Sequence, residues 1–191
     1  DYHLNDGQLW WICGSTFPGE ETIILNVFRN LTKDFPQWRL LIAPRHVERA
    51  DEVVKLVQAN NFNAVKLSEL NLTAGEGRVV VVDSVGHLRS LYALASLVFV
   101  GKSLTSEGGQ NPIEPGSLGK AIVFGPNMQN FKAIAAAFLT NKGAVQVQNA
   151  SELERVLAEL LASPAQREEL GRRALKVVRE NMGSIDRTVE M

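Results

Sequence analysis

The sequence predicts an α/β domain in which a parallel sheet carries helices on both faces. Apolar, β-branched segments alternate with segments of helical apolar spacing along nearly the whole chain of 191 residues. The run Arg78–Asp83 (RVVVVD) is almost continuously β-branched, which is typical of a strand covered on both sides. Successive strands of such a sheet are joined through right-handed crossovers.

The first half of the chain alternates four predicted strands with two helices. Gly14 ends the first strand and Pro44 stops the second. The helix between them begins with Glu20 and Glu21, whose negative charges favour a helix N-terminus. The predicted strands are Gln8–Cys13, Trp38–Ala43, Ala64–Leu67 and Arg78–Asp83, the helices are Glu20–Lys33 and Glu48–Asn60, and Asn71–Gly77 is a polar loop.

The second half continues this alternation and closes with two helices. The last helix begins at Pro164 after a serine, a pair typical of a helix N-terminus. The predicted strands are Leu97–Val100, Ala121–Phe124 and Ala144–Val147, and the helices are His87–Ala95, Pro112–Leu118, Gln129–Asn141, Ser151–Ala162 and Pro164–Asn181.

Composition excludes several classes of function. Twenty Lys and Arg against 21 Asp and Glu argue against a domain that binds nucleic acid through bulk positive charge. Cys13, the single cysteine, cannot form an internal disulfide and indicates a reducing compartment, and no Cys/His set has metal-ligand spacing. The apolar stretch around Leu91–Val100 is too short to span a bilayer. Because the first residue is Asp, we expect the chain to be a piece of a longer protein.

Ligands of parallel α/β sheets bind beyond the carboxyl ends of the strands, near the point where strand order reverses. Residues that directly follow predicted strands are therefore the candidates for a binding site. They lie in Gly14–Glu21, Pro44–Arg49, Asp83–His87, Gly101–Glu114 and Gly125–Phe131.

Gly14–Glu21 (GSTFPGEE) has the glycine spacing of a nucleotide phosphate loop. Glu20 and Glu21 stand where such a loop needs Lys and Ser or Thr, so a triphosphate would be repelled. The segment is either a tight strand-to-helix turn or a turn whose Ser15 and Thr16 make polar contacts at the cleft.

Arg45 follows the second predicted strand, so its guanidinium is expected at the carboxyl edge of the sheet. There it can bind an anion through two parallel hydrogen bonds. Alternatively, Arg45 pairs with a local acid such as Glu48, and His46 is packed or faces solvent.

Gly108–Pro115 (GGQNPIEP) predicts a rigid helix start. Asn111 suits the N-cap, Pro112 the first helical position and Glu114 the third position of a capping arrangement. The two glycines let the backbone approach a ligand closely, and free N–H groups at a helix start attract a phosphate. Capping alone and anion binding both fit this pattern.

Phe124–Phe131 (FGPNMQNF) begins another helix after another predicted strand. Asn127 can cap that helix, and Asn130 faces either the cleft or solvent. The histidines do not form a metal site with carboxylates at ligand spacing.

Together these segments resemble the C-terminal domain of the 3-deoxy-D-manno-octulosonic acid (Kdo) transferases of lipopolysaccharide synthesis. A looser similarity, to two-domain (GT-B) glycosyltransferases in general, rests on the Glu-Pro pair at the helix start. The matching residues are GSTFPGEE (Gly14–Glu21), PRHVER (Pro44–Arg49), GKSLTSEGGQNPIEP (Gly101–Pro115) and FGPNMQNF (Phe124–Phe131), which together span nearly the whole domain.

The resemblance implies a Rossmann-like, doubly wound parallel sheet that forms the C-terminal half of a GT-B glycosyltransferase, with residues 1–191 as the domain that binds CMP-Kdo. The family transfers Kdo from this donor to lipid A precursor with inversion at the anomeric carbon. No metal is bound through an Asp-x-Asp motif, and no cofactor or nucleic acid is expected. The acceptor-binding domain, the catalytic base and the membrane-associating segment belong to an N-terminal half outside this sequence, at the cytoplasmic face of the bacterial inner membrane.

The resemblance also implies roles for individual residues. Arg45 meets the nucleotide or its phosphate, and Glu114 hydrogen-bonds to the ribose hydroxyls. Residues 103–111 wrap the phosphate, with backbone N–H groups near Gly109 to Asn111 contributing. Two residues lie at the interdomain cleft (Ser15, Thr16) and two at the rim of the pocket (Asn127, Asn130). The implied donor-binding residues are Ser15, Thr16, Arg45, Ser103, Gly108, Gly109, Asn111, Glu114, Asn127 and Asn130, and none of them is catalytic.

Three positions depart from the family pattern. Phe17 stands where the family usually has His, Lys102 where it often has Gly, and Asn127 where His is common. Two other interpretations therefore stay open. One is a GT-B domain for a UDP- or GDP-sugar donor, and the other is a non-catalytic nucleotide-binding module.

Overall fold

Seven parallel strands form one sheet, as the sequence predicts. The computed structural model describes residues 7–70 and 79–189, with side chains as far as residue 181. The strands are β1 (Leu9–Thr16), β2 (Trp38–Pro44), β3 (Ala64–Lys66), β4 (Val79–Val81), β5 (Leu97–Val100), β6 (Ile122–Phe124) and β7 (Val145–Gln146).

The strand order across the sheet is β3-β4-β2-β1-β5-β6-β7. β1 is central, since it pairs with β2 on one side and with β5 on the other. The chain places β2, β3 and β4 on one side of β1, with β4 between β2 and β3, and then returns to place β5 on the other side of β1. The strand order therefore reverses between β1 and β5, and the carboxyl ends of these two strands are where a ligand is expected.

Helices cover both faces of the sheet, which confirms the doubly wound arrangement. In the described ranges they are α1 (Glu20–Leu31), α2 (Ala50–Ala59), α3 (Leu88–Leu94), α4 (Ile113–Ser117), α5 (Lys132–Thr140), α6 (Ala150–Ala162) and α7 (Pro164–Val189). One core cluster holds side chains of α1, α2 and α6, and the other holds side chains of α3, α5 and α7. None of these helices combines the length and the apolar character needed to cross a bilayer.

Alternation along β1 divides the core into its two layers, because successive strand residues point to opposite faces. Trp11 and Cys13 enter the cluster beneath α1, whereas Trp10 and Ile12 enter the cluster on the other face. Trp11 stacks on Trp38 of β2 with ring centroids 5.1 Å apart. Burial of these large apolar surfaces is the main favourable contribution to folding.

Most differences from the predicted elements lie at helix starts. α2 begins at Ala50 and α5 at Lys132, each after a short 3₁₀ turn that takes up the first predicted residues. α7 continues to Val189, beyond the predicted end. The predicted polar loop Asn71–Gly77, together with the first residue of the predicted strand at 78, lies outside the described residues.

Candidate functional site

A bulge at Ser15 brings the carboxyl ends of β1, β2 and β5 together. The β1–β2 register shifts between Gly14 and Thr16, and Ser15 takes a left-handed conformation with φ 56°. The strand thus continues to Thr16 rather than ending at Gly14. On the far side, a Cβ atom on Gly101 would lie 2.3 Å from the Ser15 carbonyl oxygen, so only glycine allows β5 this close.

Glu20, the first residue of α1, holds the loops that follow β1 and β5. Its carboxylate is fully buried and accepts four backbone hydrogen bonds. The donors are the N–H groups of Phe17 and of the three consecutive residues Lys102, Ser103 and Leu104, at 2.8 to 3.0 Å. A carboxylate that satisfies this many buried donors stabilises their conformation strongly, since each would otherwise be left unpaired.

Glu21 is also buried and belongs to a second network. Its Oε1 accepts from the Thr16 hydroxyl and from Arg49, each at 2.9 Å. Arg49 donates to Glu52 as well, and the hydrogen bond to Glu52, with that to Glu21, raises the pKa of the Arg49 guanidinium. The two acids therefore hold the strand-to-helix turn in place, which supports the turn interpretation of Gly14–Glu21.

The expectation that the Thr16 side chain faces a cleft is wrong. Thr16 is fully buried, and its hydroxyl is engaged by Glu21. Ser15 remains at the surface of the site, half-buried beside Arg45 in a cavity of about 170 Å³. The cavity lies among the ends of β1, β2 and β4 and is also lined by Pro44, Val85 and Leu88.

Ser103 joins the loops after β5 and β6 rather than facing a ligand. Its hydroxyl donates to the Val100 carbonyl and accepts from Gly125 N–H at 2.8 Å, and its carbonyl accepts from Asn127 N–H at 2.9 Å. Ser103 has no exposed surface. The Ser103 hydroxyl is therefore engaged within the protein, where it fixes the loop that the resemblance expects to wrap the phosphate.

Gly108 and Gly109 make a tight turn whose N–H groups point inward. Both have positive φ angles, 119° and 71°. Gly108 N–H donates to the Gln129 side chain, and Gly109 N–H donates to the Lys102 carbonyl, each at 2.8 Å. These two amides are thus not free for a phosphate, contrary to the implied role. In the described part of the chain, the following amides of Gln110 and Asn111 have no hydrogen-bond acceptor.

Asn111 caps α4, but not in the predicted register. Its Oδ1 accepts from Ile113 N–H at 2.9 Å, so Pro112 precedes the helix instead of opening it. Glu114 does not complete a capping box, because no side-chain bond reaches back to Asn111. α4 has only five residues, so its dipole is weak. What α4 offers at the surface is the half-buried Glu114 carboxylate, which has no hydrogen bond or salt bridge to any described residue.

Tyr92 packs beneath the end of β1 and is influenced electrostatically by Glu114. A Cβ atom on Gly14 would lie 1.8 Å from the Tyr92 hydroxyl, so the phenol fills the space beneath that glycine. Burial, with the negative charge of Glu114 second, raises the pKa of the Tyr92 phenol well above its usual range. Tyr92 is thus a neutral hydrogen-bonding group beside the site.

Arg45 is exposed, and its guanidinium makes no hydrogen bond or ion pair with the described residues. Its backbone N–H donates to the Thr16 carbonyl at 3.0 Å, which fixes it beside the bulge. The alternative pairing with Glu48 is wrong, because that carboxylate lies 3.7 Å from His46 Nδ1 instead. Arg45 therefore keeps its full set of donors for an anion.

Lys102 and Phe17, which both differ from the family pattern, meet at this edge. Lys102 Nζ lies 4.9 Å from the centroid of the Phe17 ring, and Phe17 meets His46 edge-on at 5.8 Å.

Asn130 is exposed and lies against Gly108, and its backbone N–H donates to the Gly108 carbonyl. Asn127 is half-buried next to it. Within the ranges that the structure describes, no cluster of His, Cys, Asp and Glu could hold a metal ion.

Sequence reasoning missed Glu20, because helix starts commonly carry acids for local reasons. A usable signal was present: two adjacent acids directly after Gly19, in a segment with no basic partner close in sequence. It also missed Lys102 as a member of the site. Its contact with Phe17 joins positions 85 residues apart and is not a local pattern.

The all-parallel sheet, its reversal beside β1 and the loops at that edge match the C-terminal, Rossmann-like domains of GT-B glycosyltransferases. Trehalose 6-phosphate synthase from Burkholderia multivorans has this fold, with a TM-score of 0.58 and 13% identity over 96% of this chain and 43% of that one. At this identity the likeness shows the fold alone, which is that of a GT-B C-terminal domain.

Two further comparisons define a family within this fold. The C-terminal CMP-Kdo binding domain of WaaA from Acinetobacter baumannii superposes with a TM-score of 0.84 and 30% identity, over 91% of this chain and 90% of that one. The 3-deoxy-D-manno-octulosonic acid transferase of Haemophilus influenzae is 34% identical over 182 residues, which is 95% of this chain and 43% of the relative. No family model matches the chain. The chain belongs to the Kdo transferase family, and it spans about two fifths of the length of its curated relatives.

Proposed function

We propose that this chain is the donor-binding domain of a Kdo transferase, and that it binds CMP-Kdo for transfer of Kdo to lipid A precursor in lipopolysaccharide biosynthesis. The observation that carries the proposal is the agreement with the CMP-Kdo binding domain from Acinetobacter baumannii over nine tenths of both chains. The unpaired Arg45 and Glu114 at the reversal point support it, since they are suited to a phosphate and a ribose.

The donor is placed by complementary chemistry along this edge. The Arg45 guanidinium is free to bind the phosphate that links cytidine to Kdo. The Glu114 carboxylate accepts hydrogen bonds from the two ribose hydroxyls, and the free amides of Gln110 and Asn111 add donors for a phosphate oxygen. Glu20 acts indirectly, because it fixes the loops that carry the contacting groups.

During transfer, an acceptor hydroxyl attacks the anomeric carbon of Kdo while the bond from that carbon to the phosphate oxygen breaks. Negative charge then increases on the departing CMP, and Arg45, whose backbone is held beside the bulge, stabilises it. The proton of the acceptor goes to a base outside this chain. Glu20 cannot take it, since its buried carboxylate already accepts from four backbone N–H groups, and Glu114 is engaged by the ribose hydroxyls.

We propose further that the chain is the C-terminal half of a longer enzyme whose other half binds the acceptor, supplies the base and associates with the inner membrane. Its coverage of 43% of the Haemophilus relative supports this. The domain alone then binds donor without transferring Kdo. A lysate assay with CMP-Kdo and lipid A precursor should show transfer by the longer protein and none by the 191 residues.

Titration calorimetry of the folded chain with CMP, UMP, UDP and GDP tests the donor. We expect saturable binding of CMP in preference to the other three nucleotides. Preference for UDP or GDP would assign the domain to another glycosyltransferase donor. If none of the four nucleotides binds, and CMP-Kdo itself does not bind either, the result would favour a non-catalytic module that has lost donor binding.

A further inference from the structure

Lys102 occupies a fixed position beside the reversal point. Its N–H donates to Glu20 at 2.8 Å, and its carbonyl accepts from Gly109 at 2.8 Å. Its backbone is left-handed with φ 53°, a conformation that is strained for a residue with a side chain and that glycine adopts freely. A lysine is thus retained at a position where the backbone favours glycine.

The side chain is directed by Phe17. Lys102 Nζ lies 4.9 Å from the centre of that ring, within the range of a cation–π contact. The side chain also passes Gly108, where a Cβ atom would come within 3.4 Å of Nζ. The ammonium group is therefore confined between the loop after β1 and the glycine turn before α4.

This confinement leaves the charge of Lys102 uncompensated. An aromatic ring attracts a cation without neutralising it and without accepting its N–H donors as a carboxylate does. No Asp or Glu in the described ranges forms a salt bridge with Lys102. Arg49, by contrast, is neutralised by Glu21 and Glu52.

We propose that Lys102 binds an anionic oxygen group of the sugar-nucleotide donor, as a second cation beside Arg45. The inference rests on the proposed function, and it adds a contact at one of the departures from the family pattern. Arg45 follows β2 and Lys102 follows β5, so the two cations flank the Ser15 bulge. CMP-Kdo carries two anionic groups, the phosphate and the carboxylate of the sugar acid, which matches two separated cations.

The test uses a variant that the backbone accepts. Lys102→Gly removes the ammonium and relieves the left-handed strain, so the fold is expected to be retained or slightly stabilised. Lys142→Gly is the matched control. Lys142 has φ 52°, is exposed and follows α5, away from the carboxyl ends of β1 and β5. Circular dichroism and thermal unfolding should show both variants folded.

Binding of cytidine, CMP and CMP-Kdo to each variant is measured by calorimetry at two salt concentrations. We expect Lys102→Gly to weaken binding of CMP-Kdo roughly 5- to 30-fold, and to reduce its salt dependence, while Lys142→Gly binds as the unchanged chain does. If the phosphate is the group bound, CMP weakens equally and cytidine does not change. If the carboxylate is the group bound, only CMP-Kdo weakens.

Lys102→Arg keeps the charge and the contact with the ring, and should retain most of the affinity. Phe17→Leu should lower the affinity for CMP-Kdo less than Lys102→Gly does. Added to Lys102→Gly, it should cause no further loss of affinity, because the ring acts through the ammonium. Equal affinity of Lys102→Gly and the unchanged chain for both CMP and CMP-Kdo would overturn this inference alone. Failure of the unchanged chain to bind either ligand would overturn the proposed function and the inference with it.

Discussion

The starts of α1 and α4 are alike in sequence and opposite in use. Each follows a central strand and a loop that contains two glycines, and the first turn carries two acids at α1 and one at α4. At α1 the acid turns inward, and Glu20 gathers N–H groups from two loops. At α4 the glycine amides turn inward, and the Glu114 carboxylate is left at the surface.

The difference shows that a helix start becomes a ligand site only where the fold leaves its polar groups unpaired. The amides of Gly108 and Gly109 were good candidates for an anion until Gln129 and Lys102 supplied acceptors for them. Conversely, the Glu20 carboxylate does not face a phosphate, because it accepts hydrogen bonds from the backbone of the neighbouring loops. The acid at α1 therefore serves the structure, whereas α4 leaves the carboxylate that we propose for recognition of the ribose.

The largest effect is expected at the α1 acid. Glu20→Gln replaces one acceptor oxygen by a donor group that faces the backbone N–H groups of residues 102–104. We expect the free energy of unfolding to fall by about 4 kcal/mol, and nucleotide binding to be lost with the loop conformation. Urea unfolding followed by tryptophan fluorescence measures the change. The exposed Glu48→Gln is the control, and equal stability of the two variants would contradict the role given to Glu20.

The next prediction compares Arg49 and Arg45, which lie in one segment but differ in whether they form an ion pair. Arg49→Met leaves the buried Glu21 without its ion pair and should lower the free energy of unfolding by about 3 kcal/mol. Arg45→Met removes an exposed, unpaired cation, and should leave thermal unfolding unchanged while CMP binding weakens. Differential scanning calorimetry and nucleotide titration of both variants check this pair. Similar stability losses would mean that Arg45 also has a structural partner.

A third change tests the close approach of β1 and β5. Gly101→Ala places a methyl group 2.3 Å from the Ser15 carbonyl oxygen, which is backbone and cannot easily move. We expect a loss of about 2–3 kcal/mol in unfolding free energy. Gly86→Ala meets no atom within 4 Å, so its cost is restricted to the strain of a positive φ and should be smaller. Denaturation midpoints in the reverse order would argue against the contact.

The smallest effect is expected at the α4 acid, and it should appear in affinity rather than in stability. Glu114→Ala removes a carboxylate that has no hydrogen-bond partner in the described chain, so thermal unfolding should change little. CMP binding should weaken by about 1–3 kcal/mol, which is the contribution of charged hydrogen bonds to the ribose. Unchanged CMP affinity in a folded variant would remove Glu114 from the site.

The fold was largely predictable because its signals are local. Strand runs such as Val79–Val81, apolar spacing along α1 and α6, and glycine or proline stops all act within a few residues. Alternation of the two element types then permits few arrangements other than a doubly wound parallel sheet. Even the edge that carries Arg45 and Glu114 follows from this arrangement, because the carboxyl ends of parallel strands meet there.

The use of each polar group at that edge was decided by contacts between distant residues. Sequence alone identified Asn111 as a capping residue, since its acceptor and donor lie two residues apart. It could not assign Glu20, whose donors include residues more than 80 positions away, or show that Thr16 and Ser103 are occupied internally. A polar group binds a ligand only when no nearer partner satisfies it, and those partners are defined by packing. The sequence thus determined the sheet and the edge where the site lies, and the tertiary structure decided which side chains there remain free.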